Sequence, residues 1–241
     1  MKLPWWAWAG GAAALFLSSG GVSVLTEAWD SAKSQAFLAA LPARARPYGA
    51  LILQVAAESG VSPLIIYALG EQESRWGAAL AADGTGDFTP RSAATWGFAM
   101  PPDGGGWGRG LMQIDYTAAQ KLDWRDPLTN IRAGVAILKT KMTELSSQVS
   151  LSSATAGGRV YLGDSAAARR GVVKGWYVDP RPLSGLALVS GAIAAYNTGA
   201  LNVVMNLAAG KAAGFTTTKT NGANYDVSVA SIVETIRSRM A

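Results

Sequence analysis

The sequence predicts a mainly α-helical protein, and three features indicate this fold class. Helix start and stop signals recur along the 241-residue chain, apolar residues recur at helical spacing, and stretches rich in Gly and Pro separate the predicted helices. Apolar residues make up 49% of the chain, which is enough for one sizeable core. We therefore expect one helical domain with a long loop or small β-hairpin, plus an apolar helix at the N-terminus.

The N-terminal helix is predicted over residues 1–26, where no charge occurs between Leu3 and Thr26. This length is enough to cross a bilayer, and tryptophans at one end favour the membrane interface. Its glycines would also suit close packing against other helices. A membrane anchor and a helix within a larger assembly are both preferred to a cleaved signal peptide, because no Ala-x-Ala site directly follows the apolar run. The flanking charges predict that the domain lies outside the cytoplasm.

The next helices are marked by prolines, a glycine and a capping serine. Residues 27–47 are a predicted connecting helix that ends at Arg46-Pro47. The helix that follows, 48–58, is closed by Gly60, and Ser62-Pro63 starts another that runs to about Trp76.

The rest of the chain, up to residue 241, alternates predicted insertions with helices. The insertions lie near 78–109 and 146–184, where the sequence is rich in Gly and polar residues. Further helices are predicted over 129–145, 186–196 and 226–239, and a loop is predicted over 208–224. In the last helix Val229, Val233 and Ile236 should face inward.

Composition excludes several kinds of catalytic site. The chain has no His and no Cys, which removes Ser-His-Asp triads, cysteine nucleophiles, histidine-ligated zinc and disulfides. The net charge of +5 suits either a solvated surface or attraction to an anionic polymer such as cell wall. The basic residues form no long run, so nucleic acid is not indicated as a partner. No cofactor or metal is expected.

Glu73 is the carboxylate with the most favourable setting, within Gly-Glu-Gln-Glu-Ser-Arg-Trp-Gly at 70–77. Glu71 and Glu73 lie about 200° apart around one helix, so they cannot face the same cleft. Glu73 is expected at the edge of the apolar helix face, where desolvation raises the pKa of a carboxyl group. Glu71 is expected to point to solvent or to another helix. On spacing alone, an ordinary helix carboxylate remains the better interpretation of Glu73.

Two further blocks change that interpretation. Glu73-Ser74 is followed by Gly110-Leu-Met-Gln-Ile-Asp115 and then by Ala195-Tyr-Asn-Thr-Gly199. Together with Asn130-Ile-Arg-Ala-Gly134 and Tyr225, these blocks resemble the lysozyme-like superfamily of lytic transglycosylases (SLT-type) and goose-type lysozymes. The resemblance covers residues 48–241, which are therefore a predicted lysozyme-like catalytic domain.

The resemblance implies a helical domain with a glycan cleft that cleaves the β-1,4 bond between N-acetylmuramic acid and N-acetylglucosamine. It implies that Glu73 is the catalytic acid. The residues that it implies for the substrate-binding wall and its support are Ser74, Gly110, Leu111, Met112, Gln113, Tyr196, Asn197 and Tyr225. Trp107, in a Gly-rich loop, is the best candidate for stacking on a sugar, whereas Trp76 is a core residue. Arg75 and Arg109 are expected on the solvated surface.

The number of carboxylates in the cleft decides between two reactions. A hydrolase uses a second carboxylate to activate water, whereas a lytic transglycosylase reuses its Glu and closes a 1,6-anhydro ring. Asp115 matches a goose-type aspartate and is the candidate for a second catalytic residue. The other goose-type aspartate has no aligned match, since Asp103 is off by one position and Asp83 and Asp87 lie across an expanded loop. We slightly favour a transglycosylase over a hydrolytic muramidase.

The expected partners are peptidoglycan glycan strands and, through residues 1–26, a membrane or a larger protein assembly. The expected location faces the periplasm, either anchored in a membrane or in a virion. The enzyme would serve wall opening by an envelope machine or a phage during genome ejection. The alternative from another class is an inactive wall-binding or structural virion protein.

Overall fold

The structure, a computed structural model, describes residues 29–91, 99–146, 155–156, 159–162, 176–178, 185–200, 203 and 225–241. These residues belong to two compact units. One unit takes residues 29–136 and Ser231–Ala241, and the other takes Ile137–Ala230. The segments predicted at 1–26 and 208–224 lie outside the described residues.

The predicted connecting helix is shorter than expected. Helix α1 spans Ser31–Ala40 and is capped by Asp30, whose side chain accepts a hydrogen bond from the Lys33 backbone N–H. The chain then becomes extended at Leu41, because a residue before proline disfavours the helical conformation. A short 3-10 helix, Arg46–Tyr48, leads into the next element.

Helices α2 and α3 form where the sequence predicted them. Helix α2, Gly49–Ser59, ends at Gly60, which adopts a left-handed conformation with φ 72°. Helix α3, Pro63–Ser74, starts with Ser62 as its N-cap and Pro63 in its first turn. Both capping predictions are confirmed, and α2 packs against α3.

A small antiparallel sheet lies within and after the first predicted insertion. Its strands are β1, Thr85–Gly86, β2, Gly108–Arg109, and β3, Ile114–Asp115, in the order β1-β2-β3. The short helix α4, Tyr116–Ala119, follows directly. The sheet therefore adds a third strand to the hairpin that was predicted.

The long helix α5 spans Pro127–Ser146. The second insertion contains three antiparallel strands among its described residues: β4, Thr155–Ala156, β5, Arg159–Leu162, and β6, Trp176–Val178. Helices α6, Gly185–Thr198, and α7, Tyr225–Met240, complete the described fold.

The interior agrees with the predicted helix faces. Val229, Val233 and Ile236 of α7 are at most 1% exposed, and Trp76 is 2% exposed. The fold is mainly helical, as predicted. Among the described helices, none combines the length and the hydropathy that a bilayer crossing requires.

Candidate active site

Glu73 lies in the last turn of a buried helix. Every residue from Val61 to Gly70 is buried, so α3 runs through the interior before it reaches Glu73. Glu73 is half-buried, and the following Ser74 is fully buried. The carboxyl group therefore stands where an apolar helix reaches a partly accessible surface.

Helix α3 stops at Ser74 because the chain turns through three left-handed residues. Arg75, Trp76 and Gly77 have φ values of 52°, 54° and 91°. The turn folds the Trp76 ring back under α3, where it stacks between Tyr48 and Tyr67 with centroid distances of 5.4 and 6.1 Å. The indole N–H donates to the Tyr67 carbonyl at 3.1 Å. The end of α3 is therefore anchored by a core aromatic side chain.

Gly70 provides the space for that ring. A Cβ at this position would lie 2.6 Å from a ring carbon of Trp76, closer than side-chain packing permits. Glycine within a helix costs stability relative to alanine, and here the close approach of the ring explains its presence.

Ser74 joins α3 to the segment that carries the second sequence block. Its hydroxyl donates to the Leu111 carbonyl at 2.7 Å and accepts from the Gly77 backbone N–H at 3.1 Å. Leu111 is only 7% exposed, so the bond to its carbonyl lies in a largely buried region. The predicted support role of Ser74 thus has a structural basis, and its burial does not suit direct contact with substrate.

Asn130, which is fully buried near the start of α5, holds the same segment by its side-chain amide. Its Oδ1 accepts from the Met112 backbone N–H at 2.8 Å, and its Nδ2 donates to the carbonyls of Arg109 at 3.0 Å and Trp124 at 3.1 Å. Gly110 has φ 68°, and a Cβ there would lie 2.4 Å from the Asn130 amide nitrogen. We call Ser74, Gly110–Gln113 and Asn130 the site frame.

Gln113 occupies a narrow space formed by glycines. Its φ is 48°, and its amide nitrogen donates to the Gly110 carbonyl at 2.9 Å. A Cβ on Gly86 or Gly108 would lie 2.3 or 2.2 Å from the Gln113 amide oxygen. The glycines of β1 and β2 therefore allow the amide to lie over the small sheet. Gln113 is half-buried, so part of its side chain remains accessible.

Asp115 has partners for both of its carboxylate oxygens. Oδ1 accepts from the backbone N–H and the hydroxyl of Thr117, at 3.0 and 2.8 Å, and so caps α4. Oδ2 accepts from Nη1 of Arg91 at 2.8 Å. This engagement of both oxygens does not suit the role of a second catalytic residue, a base that activates water.

The loop aspartates that sequence reasoning considered are also engaged. Asp103 accepts from the Gly105 backbone N–H at 3.1 Å and from Nη2 of Arg109 at 2.9 Å, and Asp87 accepts from Nη2 of Arg91 at 2.6 Å. Arg109 is 2% exposed and lies over the ring of Tyr116 at 4.9 Å. The expectation of a solvated Arg109 was therefore wrong, because a carboxylate and an aromatic ring make its burial favourable.

Trp107 does not suit the sugar contact predicted for it. The side chain is fully buried, its ring meets the Tyr116 ring edge-on at 6.2 Å, and the Arg91 guanidinium lies 4.5 Å from its centroid. Trp107 is therefore a core residue beneath the loop. Leu111 and Met112 are likewise buried, with 7% and 0% of their surface exposed, so they support the site from within the core.

Glu71 reaches another part of the chain, as its helical position predicted. Its carboxylate forms an ion pair with Arg44, whose Nε lies 3.1 Å from Oε2. Burial raises the pKa of the neighbouring Tyr67 to about 12, with the charge of Glu71 adding to the effect. The Glu71 carboxylate is therefore used in an ion pair.

The third sequence block lies in the unit Ile137–Ala230. Tyr196 is half-buried and Asn197 is exposed near the end of α6, and Tyr225 is buried at the start of α7. Asp226, next to Tyr225, is 3% exposed and accepts a hydrogen bond from the Ser190 hydroxyl. Burial raises the pKa of Asp226, and the bond from Ser190 partly opposes that shift.

No group of three or more metal-ligating side chains occurs among the residues that the structure describes. Asp83, in the first insertion, accepts from the backbone N–H and the hydroxyl of Thr85, at 3.0 and 2.8 Å. These bonds lower the pKa of Asp83.

Two features of the site were missed from the sequence. Arg91 contacts Asp87, Asp115 and Trp107, but a single arginine in a loop carries no signal of such contacts. The glycines at 86 and 108 do carry a signal, because an isolated glycine in a strand indicates a close approach by another group.

A comparison with protein families identifies the family of this chain. The family model of the Transglycosylase SLT domain matches residues 50–218, which is more than two thirds of the chain and includes Glu73, the site frame, Tyr196 and Asn197. A search of curated proteins gives no match. The chain belongs to the transglycosylase SLT family, a lysozyme-like family of lytic transglycosylases that cleave the glycan strands of peptidoglycan.

Proposed function

We propose that this enzyme cleaves the β-1,4 bond between N-acetylmuramic acid and N-acetylglucosamine with Glu73 as its only catalytic carboxylate. The observation that carries the proposal is the bond between the Ser74 hydroxyl and the Leu111 carbonyl. This bond ties the residue after Glu73 to the segment that bears Gln113. A half-buried carboxyl group, next to a serine that is bonded to the segment with a partly accessible amide, suits the protonation of a bound glycosidic oxygen.

The proposed reaction has two proton transfers. Glu73 first donates its proton to the glycosidic oxygen, and the bond between that oxygen and C1 of N-acetylmuramic acid breaks as the sugar becomes oxocarbenium-like. The C6 hydroxyl of the same sugar then attacks C1, and its proton passes to the Glu73 carboxylate. The 1,6-anhydro product forms, and Glu73 regains its starting state without a second carboxylate.

The engaged aspartates support transglycosylation over hydrolysis. Asp115, Asp103 and Asp87 each accept a hydrogen bond from an arginine. A carboxylate used in this way is poorly placed to orient water toward C1. This supports the transglycosylase that the sequence slightly favoured, and hydrolysis remains the competing reaction for the test below.

The remaining site residues have proposed binding roles. We assign substrate contacts to Gln113, Tyr196 and Asn197, because each keeps part of its side chain accessible. Tyr225 is proposed to close the site. The wall of the substrate cleft is proposed to be held in place by Ser74, Gly110, Leu111 and Met112. These residues contact substrate at most through the backbone.

Glu73→Gln tests the catalytic role, since glutamine keeps the shape of the side chain and cannot supply the proton. We expect its clearing of purified peptidoglycan to fall by at least about 10²-fold. Glu71→Gln is the matched control, because it makes the same change two residues away and removes only the ion pair with Arg44. It should retain clearing. Equal clearing by the Glu73 variant and wild type would remove Glu73 from the mechanism.

Mass spectrometry of the released fragments tests the reaction type. Anhydro ends from the wild-type enzyme support transglycosylation, and reducing ends would show a hydrolase. Absence of any cleavage would favour the wall-binding or structural alternative.

The cellular setting is a separate proposal. Activity on peptidoglycan implies action in the periplasm or outside the cell. We propose that residues 1–26 tether the enzyme to a membrane or to a larger assembly, in an envelope machine or in a phage virion that opens the wall for genome ejection. Flotation of the full chain with lipid vesicles tests the tether. Recovery with the vesicles supports a lipid contact, and recovery of all the protein in the soluble fraction favours a protein partner.

A further inference from the structure

The Arg91 side chain contacts three residues in and next to the strands of the small sheet. Its Nη1 donates to Asp115 at 2.8 Å, and its Nη2 donates to Asp87 at 2.6 Å. Its guanidinium carbon lies 4.5 Å from the centroid of the Trp107 ring. The side chain is 24% exposed, so these contacts are only partly screened by solvent.

The contact with Asp115 completes the engagement of that carboxylate. The other oxygen of Asp115 is fixed by its two bonds from Thr117 at the start of α4. Arg91 thus donates to Oδ2, the carboxylate oxygen that does not cap α4. A base that activates water needs an oxygen directed at that water, and here the oxygen is directed at a guanidinium group.

Asp115 lies on the same segment that is bonded to the neighbour of Glu73. It follows Leu111 by four residues, which span at most about 14 Å when extended. The Leu111 carbonyl is bonded to Ser74, the neighbour of Glu73. Asp115 further pairs with Gly108, one of the glycines that make room for Gln113. The Asp115 carboxylate is therefore carried by a segment that is bonded to the residue next to Glu73.

We infer that Arg91 is a positioning residue that keeps Asp115 from activating water, so that the C6 hydroxyl attacks C1. The inference rests on the proposed transglycosylase function. When Arg91 is removed, Asp115 can accept a proton from water while the water oxygen bonds to C1. The product then carries a reducing end in place of the anhydro ring, and one water molecule is consumed for each bond cleaved.

The test compares the ends of the fragments that wild type and Arg91→Gln release, by mass spectrometry in water enriched in oxygen-18. We expect the ratio of labelled reducing ends to anhydro ends to rise by about tenfold or more in the variant. The double variant Arg91→Gln with Asp115→Asn should return the ratio to the wild-type value. A ratio is independent of how much enzyme is active, so a loss of stability alone does not change it.

Two further variants separate the possible outcomes. Arg91→Lys keeps a cation but lacks the planar fork that reaches both aspartates, so it should give an intermediate ratio. Arg132→Gln, which removes the exposed ion pair with Glu58, is the matched control and should leave the ratio unchanged. Wild-type ratios in both Arg91 variants would overturn the inference while leaving the proposed function intact. Mainly reducing ends from the wild type would instead overturn the proposed function.

Discussion

The site frame and the outer surface of the helices join distant parts of the chain in different ways. In the frame, Ser74 and Asn130 are fully buried and bond to backbone atoms of the Gly110–Gln113 segment. On the surface, Arg132 of α5 reaches Glu58 of α2 through two hydrogen bonds, but the two side chains are 47% and 41% exposed. A buried bond has no water to replace it, whereas an exposed pair exchanges its bonds with solvent. The geometry around Glu73 should therefore depend on the frame and hardly at all on the surface pairs.

The largest effect is expected for Asn130→Ala. The change removes one bond from the Met112 backbone N–H and two bonds to backbone carbonyls, and it leaves these buried groups without their partner. We expect a loss of about 3 kcal/mol in the free energy of unfolding, together with a clear loss of activity. Urea denaturation followed by circular dichroism measures the first, and peptidoglycan clearing measures the second.

Gln54→Ala is the control for that prediction, because it also removes a side-chain amide. Gln54 is exposed and bonds to Glu58 within its own helix at 2.9 Å. Its loss should change the free energy of unfolding by at most about 0.5 kcal/mol. Equal losses for the two variants would contradict the contrast between frame and surface.

A smaller effect is expected for Ser74→Ala. The variant keeps the helix but loses the bond to the Leu111 carbonyl, so it should cost about 1 to 2 kcal/mol. Because the bond positions the segment next to Glu73, kcat should fall more than KM rises. Ser238→Ala, which removes only a surface bond to the Thr235 carbonyl of the same helix, is the control. An unchanged kcat in the Ser74 variant would show that the frame contributes to stability alone.

The smallest effect is expected for Arg132→Gln and is visible as a change with pH. The hydrogen bond from Arg132, assisted by one from Gln54, lowers the pKa of Glu58 from 4.5 to about 2. The stabilisation from this pair is present above the unfolded pKa of 4.5 and is lost as the pH falls through about 2. Exposure of both side chains keeps it small. Thermal denaturation of both proteins from pH 2 to pH 6 should give Tm curves that separate slightly above pH 4.5 and converge near pH 2. A larger separation at pH 2 would contradict this explanation.

Local signals account for what the sequence predicted well. Gly60, Ser62 and Pro63 determine where α2 ends and α3 begins, because each acts on its immediate neighbours. The amphipathic pattern of α7 placed Val233 and Ile236 inside for the same reason. The mainly helical fold followed from such signals, and the family resemblance is confirmed by the match to the SLT domain.

The contacts that shape the site join residues far apart in sequence, which local signals do not encode. Ser74 bonds to Leu111 across 37 positions, and Asp115 bonds to Arg91 across 24. Glycines surround Trp107 in the sequence, which predicts an accessible loop residue. The Arg91 guanidinium and the Tyr116 ring that cover it come from other segments. Arg109 is buried for a comparable reason. Where a polar or aromatic side chain lies in such loops depends on partners that only the fold brings together.

The close fit between Gly70 and Trp76 has a consequence for how this sequence can diverge. The ring fills the space that a side chain at position 70 would need, and Trp76 also donates its indole N–H to Tyr67. Substitution of either residue alone therefore costs either a clash or a void. In relatives that keep this turn, we expect the two positions to covary, with a larger residue at 70 accompanied by a smaller one at 76. The geometry at the end of the helix that bears Glu73 would then depend on two positions that change together in evolution.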